Sequence, residues 1–155
     1  MKTEKEKHTK TKNVHQLDIA LIQLERACEL FFRKDLISAM TLAGAADEIL
    51  EGLANTASKM LLGRKKKERG VTALTIEAGI MSDFFGEDFG TYKQKRNLLR
   101  NNFKHLKENY AVDISDLELK VKQFIDNGIT NYKLINGQVP DLQMIKQFCK
   151  EVGVN

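Results

Sequence analysis

The sequence predicts an all-α protein, a compact bundle of five to six helices, and three observations carry that expectation. A single proline interrupts 155 residues, and the composition leans on Leu, Ala, Lys and Glu, which lose little on entering a helix. Apolar residues recur at i, i+3, i+4 and i+7 through most of the chain. Capping residues and glycines punctuate those periodic stretches at helix-like intervals.

Taken in order, residues 1–13, "MKTEKEKHTKTKN", form a lysine-rich leader. It is expected to stay flexible, because nothing in it can be buried to offset the entropy of ordering. Residues 14–155 are expected to form one helical domain. From Val14 to about Lys34, Leu17, Leu21, Leu24, Cys28 and Phe31/Phe32 mark the first helix. Asp35 is placed to cap a second helix running to about Leu62. "GRKKKERG" is a charged, glycine-bounded loop, and Thr72 to Phe85 reads as a third, shorter helix that "FFGEDFG" breaks. Thr91 and Gln94 have capping-box spacing and predict a fourth helix to about Tyr110. Ser115 and Glu118 repeat that signature and open a fifth helix to about Asn127. "GITNYKLING" suits a short extended piece, with Asn136–Gly137 as a turn. Pro140, at a first helical position, opens a short last helix.

The apolar fraction of 42% and charged fraction of 30% describe a folded chain rather than a disordered one. A formal charge of +4 and a pI of about 9.0 give a mild bias toward anionic partners. The N-terminus has no apolar h-region, and no apolar run reaches membrane-spanning length. The expectation is a cytoplasmic protein without a membrane partner. Cys28 and Cys149 lie far apart without a C-x-x-C neighbour and read as buried free thiols. His8, His15 and His105 have no ligand-like spacing, so neither a metal nor another cofactor is expected.

The second helix is apolar over more than half its circumference and should be the central one. Ala43, Gly44, Ala45 and Ala46 are small enough for close approach of a neighbouring helix. Asp47 falls within the stripe Leu36, Met40, Ala43, Leu50 and Ala54. Two readings stay open: Asp47 is buried against a partner, as unpaired burial is costly, or it sits at the stripe's edge and reaches water. Glu48 points away from the stripe.

On the fourth helix, Tyr92, Leu99, Phe103, Leu106 and Tyr110 form the expected core seam. At about 100° per residue, Asn97, Asn101 and His105 stack at i, i+4 and i+8 on roughly the opposite side. Arg100 and Lys104 stack beside them. A helix face opposite a core seam is ordinarily solvated. Leu98, apolar and next to the polar row, suggests that something covers this face.

The segment "RNNFKH", Arg100 to His105, resembles the signature of HEPN domains: an arginine, a polar residue after it, and a histidine a few residues on. "DLISAMTLAGAADEILEGL" upstream extends the likeness, which covers roughly Leu17 to Tyr110. The resemblance implies a short helical bundle that homodimerises through the motif helix. It implies metal-independent ribonuclease activity of toxin or defence type, with an antitoxin-type partner, or else a non-catalytic interaction or nucleotide-binding module.

The residue types suit the first of these. RNA carries its own nucleophile, the 2′-OH. A histidine titrating near neutrality can move protons, which assigns His105. A guanidinium matches phosphate geometry, which assigns Arg100. Asn97 and Asn101 would fix the imidazole or meet a phosphate, Lys104 would add positive potential, and Asp47 or Glu48 would orient Arg100. Arg64, Lys65, Lys66, Lys67 and Arg69 in the basic loop would guide an RNA backbone, although such loops more often confer solubility.

Overall fold

A computed structural model describes residues 15–104 and 113–153, apart from the side chains of Leu99, Phe103 and Lys104. Among the described residues there are six helices and no strand: α1 (Gln16–Phe32), α2 (Leu36–Leu61), α3 (Ala73–Phe85), α4 (Phe89–Lys104), α5 (Ile114–Asn136) and α6 (Gln143–Val152). The all-α bundle expected from the sequence is the observed architecture.

The central helix is α2, packed between α1 and α5. Its predicted stripe is the buried face: Leu36, Met40, Ala43, Leu50 and Ala54 are all inside. Asp35 caps α2 by accepting a hydrogen bond from Ser38 N at 3.2 Å. Leu24 and Cys28 from α1, and Val121, Phe124, Ile125 and Ile129 from α5, complete the main core. Cys28 is a free, buried thiol and Cys149 a free, half-buried one. Burial pushes both thiols above their usual range, which makes them poor nucleophiles.

Three expected boundaries move. α4 starts at Phe89, inside the predicted break, because Asp88 rather than Thr91 supplies the cap. The Asp88 carboxylate accepts from Gly90 N at 2.9 Å and Thr91 N at 3.1 Å. α5 is capped by Asp113, not Ser115, and continues through "GITNYKLING" to Asn136. Gly128 does not end it. A Cβ at Gly128 would lie 2.9 Å from Leu24 Cδ1, so the missing side chain lets α5 lie close against α1 and α2. Pro140 lies ahead of α6 rather than in its first turn. The free amides of Met144 and Ile145 donate instead to the Glu25 carboxylate of α1, at 2.9 and 3.0 Å. That contact ties the last helix to the first, beside the edge-to-face pair of Phe31 and Phe148 at 5.7 Å.

No helix of the described residues is long and apolar enough to cross a membrane. Residues 1–14, 105–112 and 154–155 lie outside the described part, and with them the leader and His105.

Candidate functional site: a polar cleft between α2 and α4

Asp47 is wholly buried, as its place in the α2 stripe allowed, and its partner is Arg96. Arg96 Nη2 donates to Asp47 Oδ2 at 2.7 Å. The other carboxylate oxygen of Asp47 accepts from Asn131 Nδ2 of α5 at 3.1 Å. Asn131 Oδ1 in turn accepts from Ala73 N, the first amide of α3, at 2.8 Å. Four helices therefore meet at one carboxylate and one amide.

The guanidinium of Arg96 serves two further carboxylates. Its Nη1 lies 3.3 Å from Glu51 Oε2, and its Nε lies 3.4 Å from Glu77 Oε2 without hydrogen-bond alignment. Its Cζ lies over the Phe124 ring, 5.1 Å from the centroid. Glu77 is held by Tyr92 Oη at 3.1 Å, Gln123 Nε2 at 3.2 Å and Asn127 Nδ2 at 3.3 Å.

Burial raises the Asp47 carboxyl, Arg96 lowers it and Glu51 raises it again, leaving it pushed up to about 7. Burial works against the charge of Arg96, but Asp47, Glu77 and Glu51 together more than offset it and hold the guanidinium protonated. Burial, followed by the nearby Glu77 carboxylate, pushes the Tyr92 phenol up to about 12.

Arg96 is the residue that sequence reasoning missed, although two signals marked it. It stands at i+4 from Tyr92 and i−3 from Leu99, within the seam assigned to the core. A buried Asp47 also required a cation. Arg100, expected to take a carboxylate from Asp47 or Glu48, is not hydrogen-bonded to Asp47, although its charge helps to lower the Asp47 pKa.

Arg100 instead runs along α2 and enters a separate cleft of about 330 Å³. Gly44 makes room for its stem: a Cβ there would sit 2.8 Å from Arg100 Cγ and 3.0 Å from Cδ. The small-residue cluster of α2 thus has a specific use at this position. Phe89, Lys93, Asn97 and Arg100 form one wall of the cleft, while Glu48, Glu51, Gly52 and Asn55 form the other. Arg69 closes one end, its guanidinium 3.7 Å from the centre of the Phe89 ring.

Arg69 is placed by the loop that carries it. Gly70 N donates to Asn55 Oδ1 at 2.7 Å, and Val71 N donates to Ser58 Oγ at 2.8 Å. Gly70 lies so close to α2 that a Cβ would be 2.3 Å from the Asn55 carbonyl oxygen. Thr72 and Thr75 then cap α3 reciprocally at the edge of the cleft.

The cleft brings together Asn97, Arg100 and Glu48 from the expected site. Asn97 Oδ1 and Arg100 Nε are both buried and meet no hydrogen-bond partner. Asn101 is exposed, and Leu98 is 51% exposed. The side chain of Lys104 and all of His105 lie outside the described residues. Arg64, Lys65, Lys66 and Lys67 are exposed on the loop beyond Arg69. Comparison of the chain with protein-family models, with curated proteins and with solved structures returns no match.

Proposed function

We propose that the chain is a HEPN-like, metal-independent ribonuclease of toxin or defence type. In this reading Arg100 stabilises the phosphate and His105 moves the protons. The observation that supports it most is the position of Arg100: a half-buried arginine on the wall of a polar cleft. A guanidinium on the wall of a polar cleft matches the geometry of phosphate oxygens. Charged guanidinium–phosphate contacts are among the stronger hydrogen bonds.

The chemistry requires the 2′-OH to attack the adjacent phosphorus and the 5′-oxygen to leave. His105 would take up or deliver a proton, and Arg100 would meet charge on the phosphorane. The exposed loop cations, Arg64 to Lys67, would draw in the RNA backbone. A homodimer through α4, with Leu98 in its interface, and an antitoxin-type partner belong to the same proposal.

The test is cleavage of a single-stranded RNA by the purified chain in EDTA. Products should carry 2′,3′-cyclic phosphate or 2′/3′-phosphate ends. His105→Ala should reduce the rate by about 10²–10⁴-fold, the usual contribution of a positioned acid–base group. Undiminished cleavage by that variant would sink the mechanism. A second reading, a non-catalytic interaction or nucleotide-binding module, is favoured by the way Arg96 and its carboxylates serve the interior of the bundle. A folded wild-type chain that cuts no RNA would select it.

A further inference from the structure

The end of the bundle where α2 stops carries large apolar side chains that the fold leaves in water. Met60 and Leu61, in the last turn of α2, are 80% and 87% exposed, and Leu62, which follows them, is 52% exposed. Successive helical residues point about 100° apart, so the three fan around the helix end rather than line one face. Phe84 and Phe85, at the end of α3, are 78% and 75% exposed. Single exposed aliphatics are ordinary. Large ones gathered at two neighbouring helix ends form a patch, and such patches mark surfaces that meet a partner or a membrane.

The basic loop stands beside this tip. Gly63, at φ 61°, turns the chain back after α2. Lys59 Nζ then donates to the Lys66 carbonyl at 3.2 Å, and Arg64 Nη1 donates to the Arg69 carbonyl at 2.6 Å. These bonds fold residues 64–69 against the last turn of α2. The segment holds Arg64, Lys65, Lys66, Lys67 and Arg69, with Glu68 as its one acid, and all of it is exposed. Arg64 and Ser82 line one pocket, so the loop also borders α3, one turn before Phe85. The aliphatic tip, the phenylalanines and the cations therefore lie next to one another.

We infer that this end of the protein seats on an anionic lipid bilayer surface, with Met60, Leu61 and Leu62 entering the interface and the loop cations meeting lipid phosphates. Two features select this occupant. An RNA backbone would answer the cations but leave the aliphatic tip in water. A protein partner covers one flank of a projecting helix end, whereas side chains fanned around it are all covered by a medium that surrounds the tip. A bilayer interface does so, and its hold grows with the apolar area buried and with attraction to anionic headgroups. Clusters of about four to eight Lys or Arg beside an anchor or amphipathic helix supply that attraction. Lysine stems can also lie along the apolar layer while their ammonium groups stay among the headgroups. No membrane-spanning helix is needed. The inference stands apart from the chemistry proposed for Arg100 and His105, and competes only with the RNA role given to the loop.

The chain has no tryptophan, so Leu61→Trp places a single reporter on the tip. The full chain would be mixed with vesicles of phosphatidylcholine alone, or containing about one third phosphatidylglycerol, at about 0.1 M salt, where exposed charges act over about 10 Å. Emission should shift to the blue, and be quenched by brominated lipids, with the anionic vesicles only. In co-sedimentation, Met60→Gln with Leu61→Gln should weaken binding to anionic vesicles by about tenfold or more. Lys65→Gln, Lys66→Gln and Lys67→Gln together should do the same. The melting temperature should be unchanged in both, since every substituted side chain is exposed or in the loop. Affinity for a single-stranded RNA, read by fluorescence anisotropy, should not change in the Met60 and Leu61 variant. If that variant fails to fold, the emission of Leu61→Trp still decides. No binding to anionic vesicles, or binding without a blue shift and quenching, would overturn the inference. Equal losses of RNA and vesicle binding in the Met60 and Leu61 variant would overturn it in favour of RNA.

Discussion

Replacing Arg96 by methionine tests the reasoning about the interior most directly. The substitution keeps much of the stem's volume and removes the cation. Asp47, at 0% exposure, then loses its 2.7 Å partner, and Glu51 and Glu77 lose theirs. Breaking a buried ion pair from one side costs about 3–5 kcal/mol, a large share of the roughly 5–15 kcal/mol that holds a domain folded. The penalty should depend on pH with a definite sign. The Asp47 carboxyl is raised from 3.8 to about 7 in the folded chain. Its contribution is thus fully present below the unfolded value and is lost as pH rises through the folded one. At about 1.4 kcal/mol per pH unit, the rise corresponds to roughly 4 kcal/mol between pH 4 and pH 7. Without Arg96 the carboxyl moves higher still, so the part of the deficit that comes from Asp47 should be absent near pH 5, reach about 1.4 kcal/mol near pH 8, one unit above the wild-type value, and go on growing at higher pH. Urea unfolding of both chains across that range measures it. A deficit that is the same at pH 5 and pH 8, or under about 1 kcal/mol at pH 8, would refute the view that Arg96 holds a buried charge.

Two further outcomes follow from contacts around the cleft and the motif helix. Gly70→Ala drives a Cβ into the Asn55 carbonyl, a backbone atom that no rotamer change can move aside; it should cost about 1–3 kcal/mol, and faster amide exchange at Gly70 and Val71 would show the loop leaving α2. Leu98→Glu should weaken a dimer formed through α4; light scattering that gives a monomeric wild-type mass at micromolar concentration would remove that assembly from the proposal.

The fold was legible where local chemistry and tertiary packing agree. The stripe of α2, the Asp35 cap and the Thr72–Phe85 segment all carry their signals in residues close in sequence. It was less legible where packing overrides local preference. Gly128 and the β-branched Ile129 and Thr130 argue locally against a helix, yet α5 passes through them because Leu24 and Leu50 occupy the space left by the glycine. α6 likewise starts where Glu25, 119 residues away from Met144, meets its free amides. The site was legible only in part. Asp47 announced that it needed a cation, but the spacing rule that placed Tyr92 and Leu99 in the core was not extended to Arg96 between them. The pocket also depends on Arg69, Phe89 and Lys93, whose convergence is set by how the loop docks, and no short sequence pattern encodes that.

The two arginines of α4 stand one turn apart, yet their surroundings divide the labour between structure and binding. Arg96 is enclosed: three carboxylates and an aromatic ring surround it, its side chain is 1% exposed, and no ligand can reach it without dismantling the core. By anchoring α4 to α2, α3 and α5 it makes the helix a rigid support. Arg100 projects from that support and lines the cleft, outside the ion-pair cluster of Arg96. Arg100→Ala should therefore leave the melting temperature within about 2–4 °C of wild type, the shift expected for about 1 kcal/mol in a chain of this size. It should nevertheless weaken anion binding in the cleft strongly. Arg96→Met should lower the melting temperature several times further near pH 8. Equal losses of stability in the two variants would mean that Arg100 is as structural as Arg96, and the division between them would fail.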